Sequence, residues 1–215
     1  LVVDWVDART WTPADVADET NLARIAAACR VLHRGPAFAR GFDMFALQRR
    51  YLDVVRTRGF GLPAGYEAFL PAFERVAAAL AARPQPAVPC NNDLLAANVL
   101  DDGRRLWLID YEYAGNGDAC FELGNIWSEA DLDEALLDVL VEAYYGQRRR
   151  HLVARARLLA LASAYGWALW GRIQAAVSPL DVDFRAFGAE RFERAAAGFT
   201  GPALPRLLDE VIRDD

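Results

Sequence analysis

Between Pro89 and Asn125 the chain sets two acids and an asparagine around apolar runs too short to be helices. It reads Pro-Cys-Asn-Asn-Asp-Leu-Leu-Ala-Ala-Asn over 89–98 and Leu-Trp-Leu-Ile-Asp-Tyr-Glu-Tyr over 106–113. Asp93 and Asn98 lie five residues apart in a predicted loop, and Asp110 closes the run Leu106–Ile109. Asp101-Asp102-Gly103 predicts a hairpin turn between Val99-Leu100 and that run.

Phosphoryl transfer uses this spacing. One Asp orients or deprotonates the attacking hydroxyl, an Asn five residues on holds a metal, and a second Asp beyond the next hairpin holds the metal between phosphates. The pattern makes Asp93 the candidate catalytic base and Asn98 and Asp110 the candidate Mg²⁺ ligands. Glu112, two residues beyond Asp110, is expected on the same side by the period of a strand, where it supports the metal or a cationic substrate.

The rest of the sequence predicts a mostly helical protein. Thr12-Pro13 is a helix start, and helical spacing follows to His33, which is expected to cap the helix end. Further helices are expected over 42–58, 66–82, 121–128, 132–145, 149–176, 184–197 and 204–213, with 1–6 strand-like. Arg148-Arg149-Arg150 is expected to be solvated. No boundary to a second domain is evident in composition. Trp167 and Trp170 are three apart and share a helix face, a pattern that suits a packed core or an aromatic site.

Composition narrows the function. Hydrophobic residues make up 54% and charged residues 25%, which suits a globular fold. A net charge of −6 argues against a general nucleic-acid binder. No apolar run reaches the length of a membrane span free of charge. Cys29, Cys90 and Cys120 lack metal-binding spacing and are expected to be buried and reduced, in a cytoplasmic setting. All 24 basic residues are arginine.

Residues 89–98 and 106–125 resemble the choline/ethanolamine kinase family, within the aminoglycoside phosphotransferase-like superfamily. That family carries a Cys-His-Asn-Asp-Leu…Asn loop, an Ile-Asp-Phe-Glu-Tyr strand end and a Phe-Asp-Leu/Ile-Gly-Asn helix start. Downstream, Tyr165–Ala175 resembles its Trp-x-x-Trp…Gln helix, followed by an Asp-Phe…Arg-Phe segment, here Asp183 to Phe192. The resemblance implies the C-terminal lobe of a protein-kinase-like fold, mainly α with a small β insert. A hinge strand would lie at 1–10, the catalytic and metal-binding segment at 89–125 and substrate-side helices at 160–195.

The resemblance implies ATP and Mg²⁺ as co-substrate and cofactor, and the hydroxyl of choline or ethanolamine as acceptor. An aminoglycoside kinase, or an inactive ligand-binding lobe, are the alternatives. The family's small N-terminal lobe, with its glycine-rich loop and lysine, has no counterpart here, and the apolar surface it would cover predicts self-association. Trp167 and Trp170, with Tyr113, Glu129 and Phe187, would form a cage for the cationic substrate. Asn91 and Glu122 stand where the family has His and Asp, as structural supports of the catalytic loop.

Overall fold

The computed structural model describes residues 5–213. In chain order the elements are β1 (Arg9–Thr10), α1 (Pro13–Val16), α2 (Glu19–His33), α3 (Met44–Arg58) and α4 (Leu70–Ala82). Four strands follow: β2 (Ala87–Cys90), β3 (Val99–Asp101), β4 (Leu106–Leu108) and β5 (Gly115–Asp118). The remainder is helical: α5 (Ala119–Glu129), α6 (Glu134–Tyr145), α7 (Arg150–Val177), α8 (Phe184–Thr200) and α9 (Ala203–Glu210). Single 3₁₀ turns occupy Tyr66–Phe69 and Ala96–Asn98. The helix-rich expectation with a small β insert is met.

Several boundaries move for local reasons. The strand-like run at the start falls partly on residues 1–4, which lie outside the described residues. Among the described residues of the expected hinge strand, 5–10, Arg9–Thr10 alone pairs, with Asp101 and Leu100, and Trp5 is 90% exposed. The first long helix is divided, because the Asp18 carboxylate accepts from the backbone N–H of Thr20 (2.8 Å) and Asn21 (3.4 Å) and starts α2 afresh. Asp43 does the same for α3, accepting from Phe45 N–H at 2.8 Å, so that helix begins at Met44. The helix expected from Tyr66 begins at Leu70, with Pro71 in its first turn.

The chain forms two compact units, each built from two separate stretches. The first comprises residues up to Phe42 and Gln85–Ala156; the second comprises Asp43–Pro84 and Arg157–Asp215.

The first unit holds two small antiparallel sheets, in the order β1-β3-β4 and β2-β5. The apolar face of α2 (Leu22, Ile25, Ala26, Cys29) is buried, as are Leu137, Leu140 and Val141 of α6 and nearly all of α5. The hairpin is tied to α2 by a bidentate pair: both Arg24 guanidinium nitrogens donate to the Asp101 carboxylate at 2.7 Å. Trp11 Nε1 donates to the same carboxylate at 3.2 Å. The Arg24 hydrogen bonds, helped by the Gly103 N–H and Trp11, hold the Asp101 carboxyl well below the usual carboxylate range.

The second unit packs around aromatic rings. Tyr66 and Tyr165 stack with centroids 4.1 Å apart and planes within 7°. Each hydroxyl donates to the other residue's backbone carbonyl, Tyr66 at 2.9 Å and Tyr165 at 2.7 Å. Gln48 Nε2 donates to the Tyr66 hydroxyl at 3.1 Å. Phe73, Phe192 and Phe199 complete the group.

Helices α7 and α8 meet backbone to backbone at two glycines. A Cβ on Gly171 would stand 2.7 Å from Gly188 Cα, and one on Gly188 would stand 2.8 Å from the Ala168 carbonyl oxygen. By length and composition α7 could cross a membrane, but 83% of its apolar window is buried within the protein.

Candidate active site

The first unit brings together the acidic and amide residues singled out from sequence. Strand β2 ends at Cys90, opposite Gly115 of β5, and delivers Asn91 into the interior. Asn91 is fully buried. Its Oδ1 accepts the Asp93 N–H at 2.9 Å, and its Nδ2 donates to the carbonyls of Ile109 (3.1 Å) and Asp110 (2.9 Å). One amide thus joins the Asp93 loop to the Asp110 turn and uses donor and acceptor together.

Glu122, in the first turn of α5, supports the same loop from behind. Its Oε2 accepts from the backbone N–H of Asn91 (2.9 Å) and Asn92 (3.4 Å). Asn92 adopts a left-handed backbone, φ 68°, which Asn tolerates better than most residues. Its Nδ2 donates to the carbonyls of Tyr113 (3.1 Å) and Cys90 (3.3 Å). Sequence reasoning passed over Asn92; a second amide beside the first was the available signal.

Asp93 is half-buried. Its carbonyl accepts from Asn98 Nδ2 at 2.7 Å. Because the Asn98 nitrogen faces that carbonyl, its Oδ1 is the atom offered to a cation. The Asn98 carbonyl accepts the Ile109 N–H at 3.0 Å, so the strand preceding Asp110 is registered on the loop carrying Asn98. Asp110 is exposed and left-handed, φ 58°. These are oxygen donors on solvent-facing loops, a set that fits Mg²⁺.

The strand alternation used to place Glu112 beside Asp110 is absent here. Strand β4 stops at Leu108, and the left-handed turn at Asp110 removes the two-residue period beyond it. The Glu112 N–H instead donates weakly to Asp110 Oδ1, at 3.4 Å, and its carbonyl accepts from Arg40 Nη2. Arg40 Nε also donates to the Ala114 carbonyl at 2.9 Å. Tyr113 and Glu129 are both half-buried in this unit. His33 is not a helix cap: it is buried, with Nδ1 2.7 Å from the Tyr144 hydroxyl and Nε2 3.6 Å from Glu122.

The remaining substrate-side residues lie in the second unit. Trp170 is half-buried and sits at the centre of an aromatic group. Its ring centroid is 5.2 Å from Phe187, 5.5 Å from Phe184 and 6.3 Å from Trp167, each edge-on. The Gly171–Gly188 contact produces this, since each glycine directly follows one member of the Trp170–Phe187 pair. Trp167 is only 6% exposed and packs against Tyr51 at 6.4 Å. One face of Phe187 is covered by the Arg191 guanidinium, 3.5 Å from the ring centroid. A groove of 690 Å³ in the first unit, lined by residues including Arg24, Val31, Trp107 and Tyr111, includes none of the acidic site residues.

The family model described as the phosphotransferase enzyme family (APH) matches residues 1–160. The chain belongs to the phosphotransferase enzyme family. It is similar to ethanolamine kinase 2 of Mus musculus, with 32% identity over 130 residues. That match covers 51% of this chain and 34% of the relative, so it spans about a third of the curated protein's length. A solved choline/ethanolamine kinase family protein from Mesorhizobium loti is 33% identical, with a TM-score of 0.87 over 97% of this chain and 71% of that one. Aminoglycoside 2'-phosphotransferase-IIIa shares the fold, with a TM-score of 0.61 at 17% identity, over 86% of this chain and 64% of that one.

Proposed function

We propose that this phosphotransferase chain moves the γ-phosphoryl group of ATP to the hydroxyl of a small amino alcohol such as choline or ethanolamine. The observation that carries the reading is the Asn91 amide, which holds the Asp93 loop and the Asp110 turn in one hydrogen-bonded unit. In this reading Asp93 orients the acceptor hydroxyl and takes its proton. The hydroxyl oxygen forms a bond to the γ-phosphorus, the bond from that phosphorus to the bridging oxygen breaks, and ADP leaves. Asn98 Oδ1 and the Asp110 carboxylate would hold Mg²⁺, which neutralises phosphate charge.

Asn91 and Glu122 act as positioning residues in this scheme, replacing the family's His and Asp with groups that keep the required hydrogen bonds. Trp170 and Phe187 offer ring faces for the amine, with Trp167 packed behind them. Tyr113, Glu112 and Glu129 are assigned to the substrate side by the family pattern. In this reading the 215 residues, which contain no lysine, correspond to the C-terminal lobe of a protein-kinase-like fold.

The alternative acceptor is a hydroxylated amine such as an aminoglycoside, since an aminoglycoside phosphotransferase shares this fold. The test is a Mg·ATP-dependent assay on choline, ethanolamine and an aminoglycoside, with wild type and Asp93→Asn. Turnover of the amino alcohols is expected to fall about 10²–10⁴-fold in the variant, the contribution of a general base. Turnover undiminished by the substitution, or confined to the aminoglycoside, contradicts the proposal.

A further inference from the structure

Behind the catalytic loop, three side chains from three regular elements converge: His33 ends α2, Cys90 ends β2 and Glu122 lies in the first turn of α5. One imidazole nitrogen, the thiol sulfur and one carboxylate oxygen all lie within 4.8 Å of one another. His33 is 6% exposed, and Cys90 and Glu122 are fully buried. We propose that His33, Cys90 and Glu122 form a binding site for Zn²⁺, separate from the Mg²⁺ ligands Asn98 and Asp110.

Two observations beyond proximity support the site. The first is unmet polarity. His33 Nε2 and Glu122 Oε1 are both buried without a hydrogen-bond partner, a condition that costs about 1–3 kcal/mol per atom when nothing satisfies it. Nε2 lies 3.6 Å from Glu122 Oε2, too far for a hydrogen bond. The unpartnered imidazole nitrogen and carboxylate oxygen lie on side chains that approach this closely without bonding each other, which leaves both free to take a shared cation. The second is orientation. His33 Nδ1 is engaged by the Tyr144 hydroxyl at 2.7 Å, which fixes the ring and turns Nε2 toward Glu122. Ligating imidazoles are normally held through their other nitrogen in this way.

The donor set selects the metal. Nitrogen, sulfur and oxygen together suit Zn²⁺, whereas Mg²⁺ takes oxygen and retains water. Glu122 Oε2 is occupied by the N–H groups of Asn91 and Asn92, and Oε1 is the open atom. A cation on Oε1 therefore leaves the loop support intact and fastens it to α2 and β2.

The test is metal uptake by the purified, reduced chain, by equilibrium dialysis against Zn²⁺ and by absorption after Co²⁺ substitution. The expected result is about one metal per chain, as for a single site with three protein ligands, with a thiolate-to-cobalt charge-transfer band. Zn²⁺ should raise the Tm of wild type. Uptake, band and Tm shift should all disappear in Cys90→Ser and His33→Gln, with circular dichroism confirming that each variant folds. The proposal is overturned if folded wild type takes up no Zn²⁺, or if its Co²⁺ form lacks the thiolate band. It is equally overturned if both variants retain the metal. The wild-type cobalt spectrum decides the question even where a variant does not fold.

Discussion

The two units bury different chemistry. The first encloses His33, Asn91, Asn92, Asp101, Glu122, Asn125 and Arg155, all polar or charged. The second encloses Tyr66, Phe73, Tyr165, Trp167, Phe184 and Phe199, with Gln48 and Ser163 as its buried polar side chains among the described residues. Buried polar groups must be hydrogen-bonded, and hydrogen bonds are directional. The first unit therefore fixes loop positions closely and fails when one partner is removed. The second holds its rings by contact area and edge-on geometry, and fails when volume changes. Positioned carboxylates and amides suit phosphoryl transfer; ring faces suit a cation that offers little to hydrogen bonding.

The largest expected effect follows from removing a buried acceptor. Glu122→Ala leaves the Asn91 and Asn92 N–H groups without their acceptor, and His33 without its neighbour. Stranding these two buried donors costs about 1–3 kcal/mol each, measurable by urea denaturation. Glu122→Gln, which keeps an acceptor, should cost clearly less. Equal losses would mean that packing, not hydrogen bonding, holds the first unit.

The matching test in the second unit adds volume. Gly171→Ala puts a methyl group 2.7 Å from Gly188 Cα, forcing α7 and α8 apart at a cost of about 1–3 kcal/mol. Tm should fall and indole fluorescence should change as the Trp170–Phe187 contact opens. An unchanged spectrum and Tm would show that the helix crossing does not set the aromatic group.

A smaller effect is expected at the hairpin tie. Arg24→Ala should cost about 2 kcal/mol near neutral pH by stranding the Asp101 carboxylate. The Asp101 pKa is depressed in the fold, so the pair's stabilisation is present above the unfolded carboxylate value of about 4. It is lost as pH falls below that value toward the folded one. The difference between wild type and variant should shrink in urea titrations at progressively more acid pH; a gap that widens instead would assign the stability elsewhere.

The smallest is Tyr66→Phe. It removes the hydroxyl bonds to Tyr165 and Gln48 but keeps the stacked ring. It should cost about 1 kcal/mol, less than any polar deletion in the first unit.

The loop that carries Asp93 and Asn98 is legible in sequence because its signal is local. Asp93, Asn98 and Asp110 are close in sequence, and the hairpin between them carries its own turn residues, with Gly103 at φ 80°. The supports were harder to see. Asn91 and Glu122 entered only through resemblance, since 31 residues separate them and their hydrogen bond depends on how α5 packs behind β2. His33 looked like a helix cap because its burial partners, Tyr144 and Glu122, are remote in sequence. Cys90 lacks metal spacing along the chain for the same reason. The two-residue period assumed for Glu112 does not run past Asp110, which is left-handed, a conformation that Asp adopts more readily than most residues. The two units were invisible because each is assembled from separate stretches, with no change of composition at residues 42, 85 or 156.

The division of labour between the acidic loop and the aromatic group is tested most directly by calorimetric titration of choline into wild type, Asp93→Asn and Trp170→Ala. The account predicts that choline binds wild type, that binding survives Asp93→Asn, and that it is lost in Trp170→Ala. Binding retained by folded Trp170→Ala, or no binding to wild type, would contradict it.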